Sequence, residues 1–397
     1  MVATHNEKKS LGNPGFTPMG QEAVRLSPES ASDPGPKNPI ASSQATSSEL
    51  PPSTDRGDVQ NFWFPFARAH KRIQEGGWAR QVTVKDLPIS TTISGVNMRL
   101  LAGAIRELHW HTANEWALML YGNARITCFD QNGRMYIKDV KEGDLWFFPS
   151  GFPHSIQGLG PDGCEFLLVF DDGHFSEDET FLISEFMSHT DPTILAKNFG
   201  VSQSALQNIP ENELYIFKST EPRPLQDDIS YANTSAVPHP FTYSLYDQKP
   251  DVTTKGGEVR IVDSSRFQAA TTIAAALVTI HPGGMREMHW HPNADEWLYI
   301  ISGQGSLTTY AAVGRARTMD FNAGDVGYVP KTMGHFLVNT GDTDIRYLEM
   351  FRSSYFADVS LTNWMAHTPL ELLEAHTHIS RDILEKLPKN KVVIQPL

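Results

Sequence analysis

Short apolar runs punctuated by turn formers dominate the chain from Asn61 onward. Arg99–Ile105 (RLLAGAI), Glu115–Gly122 (EWALMLYG), Ala124–Asp130 (ARITCFD), Asp144–Pro149 (DLWFFP) and Glu165–Asp172 (EFLLVFDD) are strand-like in length and residue type. Asn132-Gly133 and Ser150-Gly151 separate them. Many short strands with such punctuation predict an all-β sandwich or barrel. Residues 1–58 read differently. They hold 8 of the 26 prolines and 9 serines, with Phe16 as their one aromatic residue. Such a stretch buries too little apolar surface to offset its ordering entropy and is expected to be flexible.

The pattern then repeats. GAIRELHWHTANEWALMLYG at Gly103–Gly122 returns as GGMREMHWHPNADEWLYIISG at Gly283–Gly303, and EGDLWFFPSGFPHSI at Glu142–Ile156 returns as AGDVGYVPKTMGHFL at Ala323–Leu337. His109 and His289 lie 180 residues apart, and His154 and His335 lie 181 apart. A trailing motif also recurs, Phe186–Pro192 (FMSHTDP) against Trp364–Pro369 (WMAHTP). In the second copy Thr368, Pro369 and Glu371 read as an N-cap, an N1 proline and a capping-box glutamate. The chain therefore divides into residues 59–232 and 233–397, two duplicated β-domains with short helical appendages.

Composition narrows the partners. With 33 basic and 46 acidic residues the formal charge is −13, and no basic run offers a footprint for nucleic acid or an anionic membrane surface. The apolar stretch Thr271–Ile280 is about half the length of a membrane span. Cys128 and Cys164 are too few for a disulfide framework and read as buried thiols. No apolar segment of signal-peptide length opens the chain, so a native Met1 implies a cytosolic protein, while a processed N-terminus leaves secretion open.

His109 and His111, at i and i+2, face the same side of a strand. Glu115 follows, Gly122 reads as closing a hairpin that aims it inward, and His154 beside the Pro-Ser-Gly-Phe-Pro turn adds a third imidazole. His289, His291, Glu296 and His335 repeat the set. Three nitrogen donors and one carboxylate, without thiolate, argue against structural zinc and iron–sulfur clusters. On an octahedral ion they leave two positions open, which suits Mn(II) or Fe(II). Trp110 and Trp290, between the paired histidines, must point the other way, toward core packing.

This double motif, with Arg-Glu-Leu or Arg-Glu-Met before His-Trp-His, resembles the bicupin oxalate decarboxylases of the cupin superfamily. The resemblance implies two tandem jelly-roll domains, Mn(2+) in each (two per chain), and trimers that can stack as hexamers. It also implies decarboxylation of oxalate to formate and carbon dioxide, with dioxygen needed as a co-catalyst but not consumed. Arg106 and Arg286, three residues before the first ligand of each set, would then clamp substrate. Strand parity alone places them on the opposite face, so a bulge is expected there. Residues 171–180 resemble the family's lid, whose pattern is Ser-Glu-Asn-Ser-Thr. Ser176, Glu177 and Thr180 match, which makes Glu177 the proton donor, while Asp178 and Glu179 depart. Glu349 matches the family's glutamate near the second metal; by residue type it could equally be a strand carboxylate paired with an arginine such as Arg346. Gly158 stands where the family has asparagine and Thr332 where it has glycine, with Gly334 displaced. The altered lid keeps oxalate oxidase, with peroxide as product, as the alternative. A noncatalytic storage-like bicupin is a third reading, opposed by the presence of all eight ligands.

Overall fold

The computed structural model describes Ser47 and residues 50–396. The flexible reading of the N-terminal stretch thus falls mostly outside the described residues. Its last part is pinned to the second half. Asp55 accepts hydrogen bonds from the Thr318 backbone (2.7 Å) and hydroxyl (2.8 Å), and Arg56 bridges Ala316.

Each half is a β-sandwich of antiparallel strands. In the first, the 15-residue strand Glu115–Phe129 runs through both layers. Its beginning pairs with Asp144–Phe148 and Cys164–Phe170, and its end with Met135–Lys141 and His154–Gly158. Gly122 marks the bend. Its φ is +76°, and a Cβ there would lie 2.0 Å from the Gly163 carbonyl oxygen, so only glycine fits. The expected hairpin at Gly122 is instead a bend inside one strand, where its pairing passes from Cys164–Phe170 to Met135–Lys141 and His154–Gly158. In the second half Gly303 holds the same place, and the layers separate into sheets of seven and six strands.

The apolar runs are continuous rather than alternating because both faces of these strands are buried. Along Glu115–Phe129, Ala117 and Met119 enter the first sandwich, while Trp116 and Leu118 join a core between the halves. Leu298 and Ile300 enter the second sandwich, and Trp297 and Tyr299 join the shared core. Fully burying such side chains contributes on the order of 1.5–3 kcal/mol each. The halves also exchange edge strands. Trp63–Pro65 pairs with Asp325–Val329 of the second half, and Thr242–Ser244 pairs with Asp144–Phe148 of the first.

Short helices follow each sandwich: Ile183–Ser188, Pro192–Phe199 and Leu225–Ala232 in the first half, Leu361–His367, Leu370–Thr377 and Arg381–Leu384 in the second. The expected cap at Thr368 is displaced. Pro369 is the N-cap of Leu370–Thr377, and the Thr368 hydroxyl donates back to the Trp364 carbonyl at 2.9 Å. Cys128 and Cys164 are buried free thiols.

Candidate metal centres and their lids

His109 lies on the strand Ile105–Trp110, directly opposite His154, which opens the strand His154–Gly158. Glu115 opens its own strand, and His111 sits in the turn between. The four side chains are buried, and their ligand atoms lie within 4.8 Å of one another. His289, His291, Glu296 and His335 converge identically.

Tautomer is set by the backbone. Nδ1 of His109, His111 and His154 donates to the carbonyls of Glu107 (2.6 Å), Ala113 (2.8 Å) and Phe152 (2.8 Å). Nδ1 of His289, His291 and His335 donates to Glu287 (2.7 Å), Ala357 (2.8 Å) and Met333 (2.9 Å). Every Nε2 lone pair is thereby turned toward its cluster, as metal-ligating imidazoles require. Nε2 of His154 and of His289 is buried without a hydrogen-bond partner. A buried acceptor left so is costly unless something binds it, and a divalent cation with open positions suits this donor set.

Burial holds His109, His154 and His289 well below the ordinary histidine range, with Arg106 or Arg286 and neighbouring imidazoles adding to the shift. They are neutral and ready to ligate. Burial also lowers His291, but the Glu296 carboxylate outweighs it and the net direction is up. Burial would raise Glu296, yet His335 and His291 keep it below the usual carboxylate range. The linkage has a definite sign. An unfolded histidine takes up a proton near pH 6.5, which His109, His154 and His289 refuse when folded. Metal-free protein is therefore expected to lose stability as pH falls below about 6.5, by about 1.4 kcal/mol per unit for each of these groups. Denaturant titrations after chelation, at pH 7.5 and 5.5, check this; equal stability at both would contradict it.

The arginines sit at the expected bulges. Pairing slips between Arg106 and His109, and again between Arg286 and His289. Arg106 and the adjacent Glu107 are consequently both buried. Arg106 Nη2 donates to Glu177 Oε2 at 3.0 Å and Thr180 Oγ1 at 3.1 Å, while its Nε and Nη1 have no partner. Glu177 lies in the one-turn segment Glu177–Glu179, buried, with its N–H donating to Gln81 Oε1 at 2.9 Å. Tyr215 donates to Glu177 Oε2 at 3.2 Å, and the Arg106 guanidinium lies 4.4 Å from its ring centre. Burial first, then Glu177, pushes the Tyr215 phenol up, so it remains a donor. Asp178 points outward to Arg72 at 2.9 Å, and Arg72 also pairs with Glu213 and stacks on Tyr215. A cavity of about 210 Å³ lined by His70, Arg72, Gln81, Lys85, Glu177 and Tyr215 borders this segment.

In the second half Glu349 accepts from Arg286 Nε at 3.1 Å, and Arg286 Nη2 donates to Asp358 at 2.8 Å. Glu349 is thus paired with Arg286 rather than Arg346, whose guanidinium lies over Tyr246. Burial raises the Glu349 carboxyl, Arg286 opposes the shift, Glu296 adds to it, and the net direction is up. Trp110 and Trp290 are half-buried outside the sandwiches rather than in a core. Trp110 packs on Phe181 of the short strand Phe181–Leu182 and on Phe186 of the helix Ile183–Ser188, and Trp290 packs on Trp364 of the helix Leu361–His367.

Sequence reading missed Tyr215, Arg72 and Asp358. The first two are distant in the chain from what they contact. Asp358 was legible in the repeat: Phe175 and Phe356 each lie five residues beyond the matched Phe170 and Phe351, and two residues further come Glu177 and Asp358.

Comparison with known proteins agrees with this geometry. The cupin family model matches residues 66–207 and 243–383. The oxalate decarboxylase of Bacillus subtilis (strain 168) is 51% identical over 342 residues, 86% of this chain and 88% of that protein. A probable oxalate decarboxylase of Arthroderma benhamiae is 39% identical over 347 residues, 86% of this chain and 85% of that one. A solved structure of the Bacillus subtilis oxalate decarboxylase, described with Mn(II) centres, superimposes with a TM-score of 0.89 at 49% identity, covering 91% of this chain and 96% of that one.

Proposed function

Because the chain belongs to the oxalate decarboxylase family of two-domain cupins, we infer that it cleaves oxalate to formate and carbon dioxide with manganese held by its two sets of three histidines and one glutamate. The observation that carries the reading beyond metal binding is Glu177. It is a buried carboxylate that is not in the ligand set, 3.0 Å from an arginine with two unpartnered donor nitrogens. Decarboxylation must end by placing a proton on the carbon left after carbon dioxide departs. Oxidation to peroxide needs no such acid.

His109, His111, Glu115 and His154 would hold the first ion, and His289, His291, Glu296 and His335 the second. Bound manganese would supply Lewis-acid polarisation and one-electron chemistry. In our reading dioxygen is a co-catalyst without net consumption. Arg106 receives a substrate carboxylate on its unpartnered donors, Nε or Nη1, while Nη2 stays with Glu177 and Thr180. Tyr215 and Thr180 orient Arg106 and Glu177 toward each other. Phe170 and Phe175 pack on the His111 ring and exclude water from that side. Glu177 takes up the acid proton that hydrogen oxalate brings and then delivers it to the carbon that carbon dioxide has left.

Assembly as homotrimers, or hexamers of stacked trimers, belongs to the same proposal and is read by sedimentation. Among the described residues no helix is long and apolar enough to cross a membrane.

The decisive assay is formate and peroxide yield from oxalate on manganese-loaded protein. Formate matching the oxalate consumed is expected; peroxide in its place would establish the oxidase alternative. Arg106→Lys keeps the charge and loses the planar set of donors that engages Glu177, Thr180 and substrate at once. Its kcat/KM for oxalate should fall about 10- to 100-fold at unchanged metal content, as removal of a charge-assisted bond worth roughly 1.5–3 kcal/mol requires. Unchanged kinetics would place Arg106 outside the substrate site.

A further inference from the structure

The two lids are tethered from the same position of the fold by opposite means. Beside Arg106 the strand Ile216–Phe217 pairs in register, with Ile216 facing Arg106. Beside Arg286 the strand Ile394–Pro396 does so, with Ile394 facing Arg286. Backbone bonds repeat the match: Glu107 N–H donates to the Tyr215 carbonyl at 2.9 Å and Glu287 N–H to the Val393 carbonyl at 3.1 Å. Three residues before each matched isoleucine stand Glu213 and Lys391.

In the first half that position holds the lid indirectly. Glu213 shares Arg72 with Asp178, and the Asp178 side chain is 62% exposed. Exposed pairs of this kind hold weakly and are screened by salt. In the second half Lys391 reaches the lid carboxylate directly. Its Nζ pairs with Asp358 Oδ1, while Asp358 Oδ2 takes Arg286 Nη2, and the Asp358 side chain is only 4% exposed. Burial would raise the Asp358 carboxyl, but Arg286 and Lys391 outweigh it and hold it at about 2. The arginines differ accordingly. Arg106 keeps Nε and Nη1 without partners, whereas Arg286 has given Nε to Glu349 and Nη2 to Asp358 and keeps Nη1 alone. Leu168 stands where the second half has Glu349, so the first site lacks this competing carboxylate.

We propose that Asp358 is the lid residue of the second centre and that Lys391, on the C-terminal segment, locks it there, closing that centre to small carboxylate anions that the first centre admits. Lys391 is thereby a specificity-determining residue that touches neither metal nor substrate. Removing it leaves Asp358 held by Arg286 alone. An incoming carboxylate can then displace Asp358 and take the Nη1–Nη2 edge of Arg286.

The inference rests on the reading that carboxylates bind beside these arginines, and the experiment separates the two. Equilibrium dialysis with radiolabelled formate, an anion the enzyme would not consume, counts sites on the full-length, manganese-loaded chain. The unsubstituted protein should bind about one formate per chain, Lys391→Arg about one, and Lys391→Ala about two, with both metals retained throughout. Asp358→Asn, which removes the locked charge and keeps the shape, should also reach about two. Two formates on the unsubstituted protein, or one on both Lys391→Ala and Asp358→Asn with manganese in place, overturns the lock. Loss of the second manganese in both variants also overturns it, leaving the pair a structural role. No formate on any form refutes the carboxylate-binding reading itself.

Discussion

Glu177→Ala is expected to lower formate production by about 10²–10⁴-fold, the usual contribution of a positioned general acid. Both metals should stay bound, since Glu177 is outside the two ligand clusters. Oxalate should still reach the first centre, because Arg106 loses one partner on Nη2 and keeps Nε and Nη1. What disappears is the proton source. Tyr215 donates its hydroxyl toward Glu177 and is held protonated by burial, so it does not substitute as an acid of the right strength. Peroxide production should fall less than formate, or rise, as oxidation replaces protonation. The formate-to-peroxide ratio at equal manganese loading is the measurement. A ratio equal to that of the unsubstituted protein would reduce Glu177 to a structural carboxylate on Arg106 and move the search for the acid to Glu349.

His111→Ala should remove the first metal and nearly all decarboxylation. Losing one of four ligands opens the coordination shell, and manganese affinity at that centre should fall by more than the roughly 10–100-fold typical of outer-shell changes. Metal analysis should then give about one manganese per chain in place of two. His291→Ala should give the same stoichiometry with a different consequence. Glu177 and the unpartnered donors of Arg106 belong to the first centre, whereas Arg286 is held between Glu349 and Asp358. Formate production per chain should therefore survive in His291→Ala and vanish in His111→Ala. Equal activity in the two variants would contradict this assignment.

The ligands were legible because their logic is local. His-x-His on a strand places two imidazoles on one face whatever surrounds it, and recurrence of the set 180 to 181 residues later leaves little room for coincidence. The β architecture was legible because continuous apolar runs such as Phe166–Phe170 fit strands buried on both sides. Arg106 shows where such logic ends. Strand alternation places it opposite His109, and only the slip in pairing with His154–Gly158 turns it inward. Gly122 shows the same limit, since the Gly163 carbonyl whose close approach demands a glycine lies in the turn before another strand, Cys164–Phe170.

From residue order came the duplicated β-domains and the eight ligands, encoded in spacing, periodicity and short motifs, whereas Glu177 became the candidate acid only through the resemblance of residues 171–180 to the family's lid. Tertiary structure decided what those residues can do. It put Tyr215 and Thr180 around Arg106 and Glu177, exchanged Trp63–Pro65 and Thr242–Ser244 between the halves, and brought Lys391 onto Asp358. These contacts join chain segments that no periodicity links, through sheet register and long-range ion pairing. A one-residue slip would undo them while leaving every local pattern intact.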